Sequence, residues 1–244
     1  MFLSHLLIDV GENSDRPRPG RLWLRNLYRV HQRLCMAFPS VARVSDDSEF
    51  LKPFKSADFG VGQVHVERKT DAGFLFRIDT VSGGRVVLLV QSALEPDWEY
   101  AFHNAKHLLA APSQVRAIMP SFTEGQSLRF RILANPTRKV DTKSGPDGKR
   151  RHGRRVPVTN DLLGEWLTAR ATAGGFEVNS ECLVIQPGFV YVSKQSGGDG
   201  HNLKSARYDG ILTVTDAEAF RETVVRGVGP GKAFGFGLLS VARA

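Results

Sequence analysis

The sequence predicts an α+β fold: two tandem ferredoxin-like (RRM-like) domains, the second with a basic hairpin insertion. Two observations carry this. Hydrophobic patterning runs strand, helix, strand, strand, helix, strand, and that order occurs twice along the 244 residues. The second copy is interrupted after its first strand by a stretch of dense positive charge. The boundary falls near Pro120, giving an N-terminal domain of residues 1–119 and a C-terminal domain of residues 120–244. A chain of this length can hold two modest cores.

In the first copy, Phe2 to Val10 alternates loosely and reads as a strand. Gly11 to Gly20 is polar, holds Pro17 and Pro19, and reads as a loop. Leu22 to Phe38 reads as one helix: Trp23, Leu27, Val30, Leu34 and Phe38 recur at spacings of three and four, and Pro39 stops it. Ser40 to Gly62 is polar and broken by Pro53, a long loop or irregular insertion. Phe74 to Ile78 and Val86 to Gln91 are β-rich runs around a Gly83-Gly84 turn. Asp97 to Ala111 reads as a helix with Trp98, Ala101, Ala105, Leu108 and Leu109 on its apolar face. Val115 to Met119 closes as a strand.

In the second copy, Leu128 to Leu133 is the first strand. The insertion follows, with a turn at Gly145 to Gly148 and Val156 to Val158 as the return strand of a hairpin. Asn160 to Ala171 reads as a helix through Leu162, Leu163 and Trp166. Phe176 to Tyr191 holds short strands, and Ser205 to Val214 is a further one. Asp216 to Arg226 is helical with Thr215 as its N-cap, and Phe236 to Val241 is the last strand.

Charge narrows the function classes. Lys plus Arg is 33 against 25 Asp plus Glu, a net +8. Residues 129–155 alone also carry +8: Arg129, Arg131, Arg138, Lys139, Lys143, Lys149, Arg150, Arg151, Arg154 and Arg155 against Asp141 and Asp147. A localised positive field attracts polyanions and gains from counterion release, so RNA or DNA is the expected partner, with a solvated basic loop as the bland alternative. No apolar run is long enough for a membrane helix, and the start lacks the pattern of a signal peptide. Two cysteines, Cys35 and Cys182, cannot make a disulfide framework or a cysteine zinc site by themselves. The expectation is a soluble cytoplasmic protein without a cofactor.

Residues 227–237 hold five glycines around Lys232, after a predicted helix and before a strand. Phosphate-binding glycine loops need the reverse order, strand then helix. The letters fail as well. A Walker loop would need glycine where Arg226 stands and Ser or Thr where Ala233 stands. What remains is a loop whose backbone can approach an RNA closely, through Gly229, Gly231 and Lys232, or a tight connection that lets a helix pack on a sheet.

Tyr28 and His31 are three apart on the first helix and share a face. RNA can be cut without a metal when a base takes the 2′-hydroxyl proton and an acid protonates the leaving 5′-oxygen. Histidine suits either role near neutral pH. A tyrosine hydroxyl can orient the nucleophile. On residues alone, a helix histidine is more commonly a packed or exposed side chain. His103 and His107 have the spacing of a metal pair, but the run lacks the H-E-x-x-H glutamate and a third ligand, so helix surface is the expectation and no metal is assigned.

The form Gly227-Val228-Gly229, five residues, Gly235-Phe236-Gly237 resembles the C-terminal signature of the repeat-associated RNA-processing endonucleases of CRISPR systems. The continuation Leu238 to Val241, Gly210 to Asp216, Met1 to Ser4, Leu27 to Gln32, Gln91-Ser92 and Phe130 to Pro136 are similar to the CasE (Cse3) family, in matching order over nearly the whole chain. The resemblance implies a metal-independent endoribonuclease that cuts CRISPR precursor RNA at the 3′ base of the repeat stem-loop and stays with the product in Cascade. It places a catalytic histidine on the first helix with a tyrosine three residues before, positions held by His31 and Tyr28. A basic residue found one turn later in some relatives is Met36 here, so phosphate stabilisation falls to another cation, Arg33 or Lys232. The acid and base roles stay open, and one histidine fills both only if water or Tyr28 takes one.

The expected partners are the repeat RNA stem-loop and other Cascade subunits. The basic hairpin, with Arg138, Lys139, Lys149, Arg150, Arg151, Arg154 and Arg155, would grip the stem, with Arg129 and Arg131 beside it. An A-form stem is recognised mainly by shape and backbone, which suits a dense arginine face. The alternative is a noncatalytic hairpin-binding assembly subunit, against which the presence of both Tyr28 and His31 speaks. A ribosome-associated RNA-binding protein would explain the charge but not the paired motifs.

Overall fold

The structure, a computed structural model, describes residues 1–13, 16–38, 73–81, 85–140, 154–193 and 200–244. The Ser40–Gly62 insertion, the Gly83-Gly84 and Gly145–Gly148 turns, and Lys143, Lys149, Arg150 and Arg151 lie outside these residues. The chain divides into two compact units. One holds residues 1–120, 191–201 and 233–235; the other holds 121–190, 202–232 and 236–244. The short returns 191–201 and 233–235 are the difference from a single cut after residue 119.

In the first unit, β1 (Phe2–Ile8), β2 (Phe74–Thr80), β3 (Val86–Ser92) and β4 (Gln114–Ala117) form a sheet in the order β2-β3-β1-β4, antiparallel throughout. That order, with helices between β1 and β2 and between β3 and β4, is the ferredoxin-like topology. The register sets Leu6 opposite Leu88, and Phe76 opposite Val90. These side chains are fully buried and share a face. One face therefore builds the core, as the period of two requires.

The helix expected over 22–38 is two helices, α1 (Pro19–Leu24) and α2 (Leu27–Cys35). Pro19 begins α1, where a missing N–H costs nothing. The break falls at Asn26. Its extended backbone lets its side chain accept from the Tyr28 N–H, capping α2. The same amide donates to the Ser193 carbonyl at 3.0 Å. Leu27, Val30 and Leu34 point into the core as the periodicity predicts.

The helix expected over 97–111 is also shorter. It spans Trp98–Phe102 as α3, capped by Asp97, and a 3-10 turn at Lys106–Leu108 follows. The Ala101 carbonyl, which a continuing helix would use, accepts instead from Arg33 Nη1 at 3.0 Å. His103 Nδ1 lies 2.6 Å from the Tyr100 carbonyl and also draws on the last turn. His103 and His107 thus do not share one helix.

The second unit repeats the pattern. β5 (Ser127–Ala134), α4 (Leu163–Ala173), β8 (Phe176–Val178), β10 (His201–Val214), α5 (Ala217–Arg226) and β11 (Leu239–Arg243) give the sheet order β11-β5-β10-β8. Its core holds Ile132, Leu163, Phe176, Tyr208, Leu212 and Phe220. The insertion departs between β5 and α4 as a two-stranded ribbon, β6 (Thr137–Val140) with β7 (Arg154–Pro157), Lys139 opposite Arg155. β9 (Val184–Val192) pairs with β10 outside the main order. The cap of α5 is Asp216 rather than Thr215, because its carboxylate accepts from both the Glu218 and Ala219 N–H groups.

Candidate active site and nucleic-acid interface

Tyr28 and His31 lie on one face of α2, both half-buried. β2 presents aromatic rings to that face. The His31 ring is 5.3 Å from Phe74 and stacks at 6.3 Å on Phe76, with interplanar angles of 30° and 21°. Phe38 stacks on the far part of this cluster, 5.1 Å from Phe74. The imidazole is therefore held by ring faces, and its Nδ1 is withdrawn from solvent.

The glycine-rich segment contributes to the same place. Residues 233–235 belong with the first unit. Phe234 lies 6.5 Å from the Tyr28 ring. A Cβ on Gly235 would stand 3.1 Å from the edge of Phe76, the ring that carries His31. The two sequence motifs thus meet through aromatic contacts: Tyr28 with Phe234, and His31 with Phe76 and Gly235. The contribution of Phe74 and Phe76, assigned in advance to no site, had one signal: alternate aromatics on a strand next to a helix with polar aromatic residues.

The other glycines have local reasons. Gly227, Gly229, Gly231, Gly235 and Gly237 all have positive φ. A Cβ on Gly229 would press on Trp166 at 3.1 Å, and one on Gly231 on Phe236 at 2.8 Å. Gly237 accepts from the Val228 N–H and donates to the Leu133 carbonyl, closing the segment onto β5. Positive φ at all five, and close neighbours at Gly229, Gly231, Gly235 and Gly237, give these glycines a local structural reason.

Arg33 and Lys232 differ in availability. Arg33 Nη1 donates to the Ala101 carbonyl and to Asn104 Oδ1 at 2.7 Å, and burial draws its guanidinium below the usual arginine range. It fastens α2 to the end of α3. Lys232 is exposed in a 3-10 turn, and partial desolvation, then Arg226, lower its ammonium below the ordinary lysine value. Met36 is the C-cap of α2 and supplies no charge.

The basic residues of the second unit fall into two groups. Arg138 and Lys139 on β6 and Arg155 on β7 are exposed, Arg155 Nη1 donating weakly to Thr137 Oγ1 at 3.4 Å. Arg154 is in the same ribbon. Arg129 and Arg131 project instead from the main sheet. Arg129 donates to the Arg243 carbonyl at 3.0 Å, and Arg131 pairs with Asp209, which also holds Arg207. Asp209 thus offsets one of the two charges of Arg131 and Arg207. Among the described residues no cluster of three or more His, Cys, Asp or Glu is arranged for a metal ion, and no helix is long and apolar enough to cross a membrane.

Comparison with known proteins gives a consistent result. The family described as "CRISPR associated protein" matches residues 1–243. The CRISPR-associated endoribonuclease Cse3 of Thermus thermophilus is 32% identical over 166 residues, covering 64% of this chain and 72% of the relative. The CRISPR system Cascade subunit CasE of Escherichia coli is 27% identical over 99% of both chains. A solved structure of the CRISPR endoribonuclease Cse3 bound to 19 nt RNA superposes with a TM-score of 0.69, at 29% identity, over 99% of this chain and 100% of the other. The chain belongs to the CasE (Cse3) family of CRISPR-associated proteins.

Proposed function

We propose that this protein is an endoribonuclease that cuts CRISPR precursor RNA at the 3′ base of the repeat stem-loop and remains on the product hairpin within Cascade. The observation that carries the reading is the α2 pair: Tyr28 and His31 on one face, framed by Phe74, Phe76 and Phe234, in a chain of the CasE family. The relatives' names support it, one an endoribonuclease and the other a Cascade subunit.

The chemistry is metal-independent transesterification. The 2′-hydroxyl gives up its proton and its oxygen attacks the adjacent phosphorus. The bond from phosphorus to the 5′-oxygen breaks, and that oxygen takes a proton. The products are a 2′,3′-cyclic phosphate and a 5′-hydroxyl. His31 carries one of the two proton transfers, and Tyr28 or a water carries the other. A cation, Arg33 or Lys232, is needed at the crowded phosphate, and Arg33 is already bonded to the end of α3.

The ribbon β6–β7 holds the stem through Arg138, Lys139, Arg154 and Arg155, joined by Lys149, Arg150 and Arg151 of the same insertion. Arg129, Arg131 and the backbone at Gly229 and Gly231 complete the RNA-binding set. Phosphate contacts dominate, as A-form geometry favours. The test is cleavage of a repeat hairpin in EDTA by wild type and His31→Ala. Cutting by wild type, and binding without cutting by the variant, is expected. Equal cutting by both would remove His31 from the mechanism. Binding without cutting by wild type would leave a noncatalytic hairpin-binding subunit.

A further inference from the structure

A concave site of about 540 Å³ opens on the second unit, lined by Thr159, Asn160, Pro187, Gly188, Phe189 and Lys204. None of these six was marked by sequence motif. Phe189 is the unusual one. It stands on β9 with 73% of its surface exposed, although a phenylalanine at a strand position ordinarily finds a core. Lys204 projects from β10, and its own carbonyl accepts from Asn135 Nδ2 at 2.5 Å, which fixes the backbone beneath it. Gly188 brings β9 close to β10: a Cβ there would stand 3.3 Å from Ser205 Oγ. Thr159 and Asn160 are exposed and add a hydroxyl and an amide, so the wall offers both donors and acceptors.

The lining holds one cation and no carboxylate. An apolar protein segment laid on Phe189 would bury Lys204 without a counter-charge. A nucleotide satisfies the whole set: a base face for Phe189, a base edge for Asn160 and Thr159, and a phosphate for Lys204. The volume lies within the range of small-ligand sites. The site is also continuous with the basic ribbon. Thr159 follows β7 by two residues, and Asn135 begins the turn into β6.

We infer that this pocket holds an unpaired nucleotide of the bound RNA, its base stacked on Phe189 and its phosphate held by Lys204. Bases inside a stem already have both faces stacked, so the occupant is an unpaired nucleotide, assigned to a segment flanking the hairpin rather than to its loop. This rests on the RNA-binding reading above and adds to it a second contact, made by a different strand state.

The test compares two RNAs by fluorescence anisotropy: a repeat hairpin with single-stranded flanks on both sides, and the same hairpin trimmed to its stem. For wild type the flanks tighten binding. Phe189→Ala weakens the flanked RNA about tenfold and leaves the trimmed hairpin unchanged, while Phe189→Trp keeps the gain. Lys204→Gln lowers the salt slope for the flanked RNA alone, by about one. Phe189 is exposed, so its removal leaves no cavity in the core. Unchanged binding of the flanked RNA by Phe189→Ala, or equal weakening of both RNAs, overturns the inference. Intact RNA binding with weakened Cascade assembly also overturns it and makes the patch a protein contact. If wild type binds neither RNA, the RNA-binding reading itself falls, and this inference with it.

Discussion

Replacing Gly237 with alanine tests whether the glycine signature is a packing device. Its φ is +91°, a region that costs an L-residue about 1–2 kcal/mol. An added Cβ would also stand 2.8 Å from the Val228 carbonyl oxygen, which is main chain and cannot swing aside. Relief of that clash must displace the segment and strain two bonds, Val228 N–H to the Gly237 carbonyl at 2.9 Å and Gly237 N–H to the Leu133 carbonyl at 2.8 Å. A buried polar group left unpaired costs about 1–3 kcal/mol, so the sum is about 2–5 kcal/mol. Gly125 is the control. Its φ is +78°, but an added Cβ would meet nothing within 4 Å, so alanine there costs only the left-handed term of about 1–2 kcal/mol. Urea titrations of both variants, followed by circular dichroism, give the comparison. Gly237→Ala should be the less stable by about 1–3 kcal/mol. Equal midpoints would refute the packing argument and return these glycines to a purely ligand-facing role.

Four further outcomes are expected. Tyr28→Phe keeps the ring against Phe234 but removes the hydroxyl, so cleavage slows while hairpin binding, read by anisotropy, is unchanged. Asn26→Ala removes the cap of α2 and the pairing with Ser193, costing about 1–2 kcal/mol in a urea titration. Tyr208 is fully buried, its hydroxyl donating to the Leu163 carbonyl at 3.1 Å, and burial pushes its phenol well above the usual value. The folded state keeps that proton where the unfolded chain loses it, so stability falls as pH rises above about 10. Tyr208→Phe lacks this loss, and the gap between wild type and variant should narrow between pH 8 and pH 11. Lys139→Ala and Arg155→Ala should each lower the salt slope of hairpin binding by about one, and Arg131→Ala by less, because Asp209, shared with Arg207, offsets part of its charge.

Both ferredoxin-like repeats were legible because strand and helix periods alternate cleanly and the apolar runs are β-rich. The positions of Leu27, Val30 and Leu34 in the core follow directly from their spacing. The failures are places where tertiary bonds overrule periodicity. Asn26 interrupts a continuous apolar stripe because its side chain caps α2 and reaches Ser193, a partner 167 residues away. α3 stops early because Arg33 takes the carbonyl that would have extended it. That Tyr28 and His31 share a face of α2 was legible through their spacing, whereas the aromatic rings around them were not, since Phe74 and Phe76 look like any strand core. Phe189 and Lys204 carried no local signal, because exposure is a property of the fold.

The central claim, that His31 assists an attack by the RNA's own 2′-hydroxyl, is tested most directly by a repeat hairpin with a single 2′-deoxy nucleotide at the scissile position. The account predicts that the deoxy RNA binds like the native RNA and is not cut, and that the native RNA, cut in EDTA, yields a 2′,3′-cyclic phosphate and a 5′-hydroxyl. Cleavage of the deoxy RNA at the native site, or a 5′-phosphate on the product, would contradict it.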